Sequence, residues 1–216
     1  MKLSRSIVSL ITVVAFVATL ASHAETIRYQ ARPGSKVKLN GTSTMHDWTV
    51  DSSIIGGYIE FDSNFPLDPS KPSSDLKVTP KVEVTIPVSS LKSGKSLMDE
   101  VMHDAMKMKN FTNITYNLKE MKPKERKAGD PLQFDTKGDL TVAGVKKEVG
   151  MVVTMEPVAP NKLKTTGSTT VKMTDFGIKP PAPAVGLGLI KTGDDVKIDF
   201  EWMTARKDEK KTASAQ

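Results

Sequence analysis

Val196-Lys197-Ile198-Asp199-Phe200-Glu201-Trp202 places an apolar side chain at every second position and a charged one between. Side chains of a β-strand point alternately to opposite faces, so this stretch is a strand with one dry and one wet side. The same alternation recurs along the chain and predicts strands near residues 36–46, 54–62, 81–88, 112–120, 132–142, 147–155, 162–173 and 195–204. The inward apolar rows are Val37 and Leu39; Ile59 and Phe61; Val82, Val84 and Ile86; Ile114, Tyr116 and Leu118; Phe134, Leu140 and Val142; Val149, Met151, Val153 and Met155; Val171 and Met173. Gly56-Gly57 permits a bend or bulge, Ala143-Gly144 falls between two alternating runs as a hairpin turn, and Pro157 and Pro160 end a strand.

One segment departs from period two. From residue 96 to 108, Leu97, Val101, Ala105 and Met108 and the parallel row Met98, Met102 and Met106 recur at helical spacing. Ser96 is placed to cap this helix, with Asp99 and Glu100 in its first turn. A lone amphipathic helix among strands has to cover something apolar, and an open barrel end is the obvious partner. The fold class is therefore all-β with one accessory helix: an eight-stranded antiparallel, lipocalin-like barrel, with the helix packed against it or plugging it. Two loops, residues 66–80 and 179–193, are too long for simple turns, and the second carries the apolar run Val185, Leu187, Leu189 and Ile190.

The N-terminus bears on location. Lys2 and Arg5 precede an apolar run from Ile7 to Leu20, and Ser22-His23-Ala24 supplies small residues where a signal peptidase would cut. Residues 1–24 are read as a signal peptide, residues 25–204 as one barrel domain and residues 205–216 as a charged, disordered tail. The mature chain is expected to be periplasmic or secreted, with no membrane span left after cleavage, because the apolar run falls short of the ~20 residues a spanning helix needs. Loss of Lys2 and Arg5 leaves 29 of the 31 basic residues against 25 acidic ones. That modest excess, interleaved with Asp and Glu, argues against a nucleic-acid partner. The absence of cysteine leaves stability to the core alone.

Four motifs in order, residues 39–48 (LNGTSTMHDW), 108–116 (MKNFTNITY), 138–147 (GDLTVAGVKK) and 175–178 (DFGI) with 192–196 (TGDDV), resemble the YceI-like family of exported polyisoprenoid-binding proteins. The resemblance implies an extended lipocalin-type barrel of eight strands with a helix against it and a long lipid chain in the lumen. It also raises a homodimer that covers an apolar mouth.

The residues allow this physically. Gly41, Ser43, Thr165, Gly167 and Thr169 stand on nominally inward positions and leave room where larger side chains would fill the barrel. The expected ligand is a long-chain isoprenoid or fatty lipid, and the expected lumen residues are Val84, Ile86, Tyr116, Phe134, Leu140, Met151, Val153, Met173, Ile198 and Phe200, with Met102 and Met106 from the helix. Methionines suit such a site because thioethers repack around guests of imprecise shape. Phe111 and His46 are expected at the rim, where His46 would meet a head group or orient a loop.

No cofactor, metal or catalytic residue is expected. His46-Asp47 and His103-Asp104 suggest a metal, but spacing offers no third ligand. No nucleophile elbow exists, and Asp194-Asp195 reads as a turn. Two alternatives stay open: an enzyme acting on a prenyl or acyl compound through His46 and Asp47, and a solidly packed barrel serving as an interaction module.

Overall fold

The computed structural model describes residues 25–72, 80–182 and 190–206. The proposed signal peptide, the tail beyond Arg206 and Val185, Leu187 and Leu189 of the apolar loop lie outside these residues. Ten strands form one antiparallel sheet: β1 (Thr26–Ala31), β2 (Lys36–Ser43), β3 (Trp48–Ser52), β4 (Gly56–Asp62), β5 (Lys81–Pro87), β6 (Asn113–Pro123), β7 (Leu132–Val142), β8 (Val145–Ala159), β9 (Lys162–Lys172) and β10 (Thr192–Arg206). The helix α1 (Ser96–Ala105) is inserted between β5 and β6.

The sheet closes because β10 pairs along its first part with β2 and along its end with β1. β1 and β2 thus share one position around the ring, interrupted at Pro33-Gly34, and β4 and β3 share the next, pairing with β1 and β2 respectively. Ten segments make eight positions, in the order β1/β2, β4/β3, β5, β6, β7, β8, β9, β10. All eight expected strands are present. The additional segments β1 and β3 were not anticipated, and β10 runs two residues into the segment read as tail, with Arg206 paired to Tyr29.

The alternation in β10 is realised as expected. Val196 and Trp202 are buried while Lys197 and Glu201 are exposed. β7 repeats the pattern, burying Leu132, Phe134, Thr136, Gly138 and Leu140 and exposing Asp135 and Lys137. An apolar interior with charged outward positions is the reverse of a membrane-spanning barrel. Among the described residues no helix is long and apolar enough to cross a membrane. The β7–β8 hairpin turns at Ala143 (φ 50°) and Gly144 (φ 81°), both left-handed, as a tight two-residue connection requires.

The strand directions give the barrel two unlike ends. One end holds the β6–β7 and β8–β9 connections and the segment after β4, whose Phe65 stacks between Phe61 (ring centroids 4.6 Å apart) and Phe134 (5.6 Å). Tyr29 completes this aromatic floor at 5.3 Å from Phe61. Arg126 straps the segment down by donating to the carbonyls of Asp68 and Pro69, both at 3.0 Å. The other end collects the β2–β3 connection, α1, the β7–β8 hairpin and the residues between β9 and β10.

Candidate functional site

Among the described residues, two cavities stand out in the interior. The larger, about 540 Å³, lies at the α1 end, and the smaller, about 120 Å³, lies nearer the aromatic floor. Val37, Ile86, Leu140 and Ile198 border both and form a waist between them. The hollow is therefore a string of two chambers that meet at this waist. The larger chamber falls within the ~300–1,000 Å³ typical of ligand pockets.

Helix α1 roofs the larger chamber with Leu97, Met98, Val101, Met102 and Ala105, a single face at helical spacing. The barrel contributes Ile114, Val142, Val171 and Met173, and the mouth carries Met45, His46, Trp48, Pro181 and Ile190. Helix α1 ends at Ala105, three residues earlier than the spacing predicts, because Lys107 adopts a left-handed φ of 54° and terminates it. Met106 still lines the chamber as the residue after the helix.

The helix is fastened by its opposite face. Ser96 is the first helical residue and makes no cap. Asp99 instead reaches back, accepting the backbone N–H and the hydroxyl of Ser93, each at 2.7 Å. His103 contacts the Leu91 carbonyl at 3.1 Å. Burial raises the Asp99 carboxyl, but the Ser93 hydrogen bonds together with Lys92 and His103 outweigh it and hold the group below its ordinary 3.8. A depressed carboxyl stabilises the folded state fully above the ordinary value and loses that contribution as pH falls through the lower folded one. Protection of the α1 amides, relative to their intrinsic exchange rate at each pH, is therefore expected to fall as pH drops below 3.8. Asp99→Asn should show faster exchange at neutral pH, with a cost of about 1 kcal/mol; unchanged protection would exclude Asp99 as the fastening.

The expected lumen residues divide between the chambers. Met102, Met106 and Met173 border the larger, together with His46, which was expected at the rim; Val84, Tyr116, Met151, Val153 and Phe200 border the smaller; Ile86, Leu140 and Ile198 border both. Phe134 lines neither, being part of the floor. Phe111 is also outside both: its ring lies over Gly144 of the β7–β8 hairpin, where a side chain would collide with it. Thr165 and Thr169 do border the smaller chamber. Gly41 and Gly167 leave no such room, because the rings of Trp48 and Phe200 occupy the space over them.

Several lining residues escaped sequence reading. Val50 comes from the unanticipated β3, Leu91 from the turn after β5, and Phe176 and Ile178 from the DFGI segment. Leu97, Met98, Val101 and Ala105 carried a usable signal, their place on the apolar helix face.

Among the described residues, the side chains of His46 and Asp47 are not hydrogen-bonded to each other. His46 is exposed, and its Nδ1 contacts the backbone carbonyl of Asp47 at 2.9 Å rather than the Asp47 carboxylate. Asp194 accepts the Thr174 N–H at 2.9 Å and the Thr174 hydroxyl at 2.6 Å, which anchors the connection before β10.

A model of the YceI-like domain matches residues 21–203. A UPF0312 protein of Pseudomonas putida is 27% identical over 157 residues, covering 68% of this chain and 77% of its own. One of Pseudomonas fluorescens is 28% identical over 160 residues, covering 69% and 78%. Among solved structures, a polyisoprenoid binding domain from Saccharophagus degradans superposes with a TM-score of 0.63 at 11% identity, over 85% of this chain and all of that one. BcnA of Burkholderia cenocepacia gives 0.58 at 17% identity, over 78% and 95%. At these identities the structural matches establish the shared barrel.

Proposed function

The chain belongs to the YceI-like family, and from that premise we propose that it holds a long-chain apolar lipid, a polyisoprenoid or quinone tail, in the two chambers for carriage or storage outside the cytoplasm. The observation that carries this reading is the larger chamber: about 540 Å³, roofed by a helix face and walled by aliphatic side chains from the barrel. Burying a methylene contributes about 0.8 kcal/mol, so four isoprene units supply about 16 kcal/mol gross. That exceeds most estimates of the ~4–15 kcal/mol cost of association. No directed chemistry is needed. The polyisoprenoid-binding description of the Saccharophagus domain supports the same class of guest, and the reading of residues 1–24 as a signal peptide supports the compartment.

Binding without turnover is the expected behaviour. Lipid-stripped protein titrated with a prenylated quinone should show saturable quenching of its tryptophan fluorescence, since Trp48 borders the larger chamber and Trp202 the smaller, with one equivalent bound and the quinone recovered unaltered. His46→Ala should leave that affinity within about threefold, since its ring is engaged with the neighbouring backbone. Conversion of the quinone that is lost in His46→Ala would replace this reading with the enzymatic one, and failure to saturate would remove it.

A further inference from the structure

Two buried side-chain atoms among the described residues, Thr165 Oγ1 and Trp202 Nε1, have no hydrogen-bond partner, and a third, Tyr116 Oη, lies near the Thr136 hydroxyl without a well-formed bond to it. All three residues line the smaller chamber. Trp202 and Thr165 are 3% and 6% exposed and face each other across the β9–β10 ladder. Tyr116 stands on β6, four positions around the eight-position ring from β10, and so on the facing wall. The chamber's other hydroxyls are engaged, Thr136 donating to the Met151 carbonyl at 2.9 Å and Thr169 to the Gly150 carbonyl at 3.2 Å. Buried polar groups are normally paired, and unpaired ones lose free energy that a correctly placed partner restores.

The chemistry of the missing partner is constrained. An indole N–H only donates, so the guest must offer an acceptor at Trp202. Burial raises the Tyr116 hydroxyl, which keeps it protonated and able to donate. Among the described residues no charged side chain lines the smaller chamber, so an anionic head such as a phosphate or carboxylate would be buried there unpaired. We infer that the smaller chamber is the seat of a neutral, oxygen-bearing head, a carbonyl or ether group, held between Trp202 and Thr165 on one wall and Tyr116 on the other. The apolar tail then passes the waist of Val37, Ile86, Leu140 and Ile198 into the larger chamber, so the lipid sits head inward with its tail under α1. This inference rests on the lumen-binding reading and adds the guest's head chemistry and direction.

The test offers lipid-stripped full-length protein a prenylated benzoquinone and an isoprenoid hydrocarbon of equal length, in competition under native mass spectrometry. The wild type should prefer the quinone by about tenfold or more, and Tyr116→Phe and Thr165→Val, which keep shape, should each reduce the preference about threefold without weakening hydrocarbon binding. The infrared carbonyl stretch of the bound quinone should be lowered in the wild type and return toward its free value in both variants. Equal binding of the two probes, or a preference and stretch unchanged in the variants, would overturn the head assignment and leave lumen binding standing; ordered water on the three groups would give that result. Binding of neither probe would overturn lumen binding itself.

Discussion

Ala105→Trp is expected to lower the lipid recovered with the protein about tenfold or more while moving the thermal midpoint by only about 3 °C. Ala105 lies on the face of α1 that roofs the larger chamber, and it is only half-buried because the chamber lies beneath it. An indole there projects into open space rather than into packed neighbours, which avoids the usual cost of overpacking a core. It occupies volume that the tail would need. The fastening of α1 through Asp99 and His103 is on another face and is untouched. Organic extraction followed by quantitation, alongside calorimetry, separates the effects: unchanged lipid in a folded variant would place the guest elsewhere.

Gly57→Ala should produce the largest loss of stability of any small substitution in the barrel. Gly57 pairs with Val84 inside the β4–β5 ladder at φ 114°, a conformation that side-chain-bearing residues rarely adopt. A Cβ there would also fall on the Glu83 carbonyl oxygen, a backbone atom that cannot swing away. Strain of this kind with a backbone collision costs about 3 kcal/mol or more, which lowers the midpoint by about 6–12 °C in a chain of this size. The adjacent Gly56→Ala is the control. Its Cβ would stand 3.4 Å from the Thr85 carbonyl with φ outside the left-handed range, so the urea midpoint should change little. Equal losses at the two positions would refute the assigned strain at Gly57.

The face of each long strand was legible because period-two alternation separates inside from outside, and Val196 to Trp202 shows it most plainly. Depth along the barrel was not. Leu140 and Phe134 occupy the same face of β7, yet one forms the waist and the other the floor, a distinction set by Phe65 from a distant segment. Glycine was similarly ambiguous. A missing side chain at Gly41 or Gly167 reads as space, but a cross-strand aromatic ring fills it, which only the pairing of Gly41 with Trp48 and of Gly167 with Phe200 reveals. β1 and β3 were missed because each is short and continues a ring position that a neighbouring segment already supplies. Phe111 stands at the α1 end of the barrel, but its ring packs over Gly144 rather than into a chamber, a contact that depends on the hairpin turn coming close in space.

Native mass spectrometry of the full chain purified from its own compartment, followed by organic extraction of the same sample, probes the hollow most directly. One equivalent of an apolar lipid per chain, released by solvent and lost in Ala105→Trp, is the expected result. A protein that carries no added mass from its native source, and that takes up neither a prenylated quinone nor an isoprenoid hydrocarbon when offered them, would mean that the two chambers are packing defects and hold no guest.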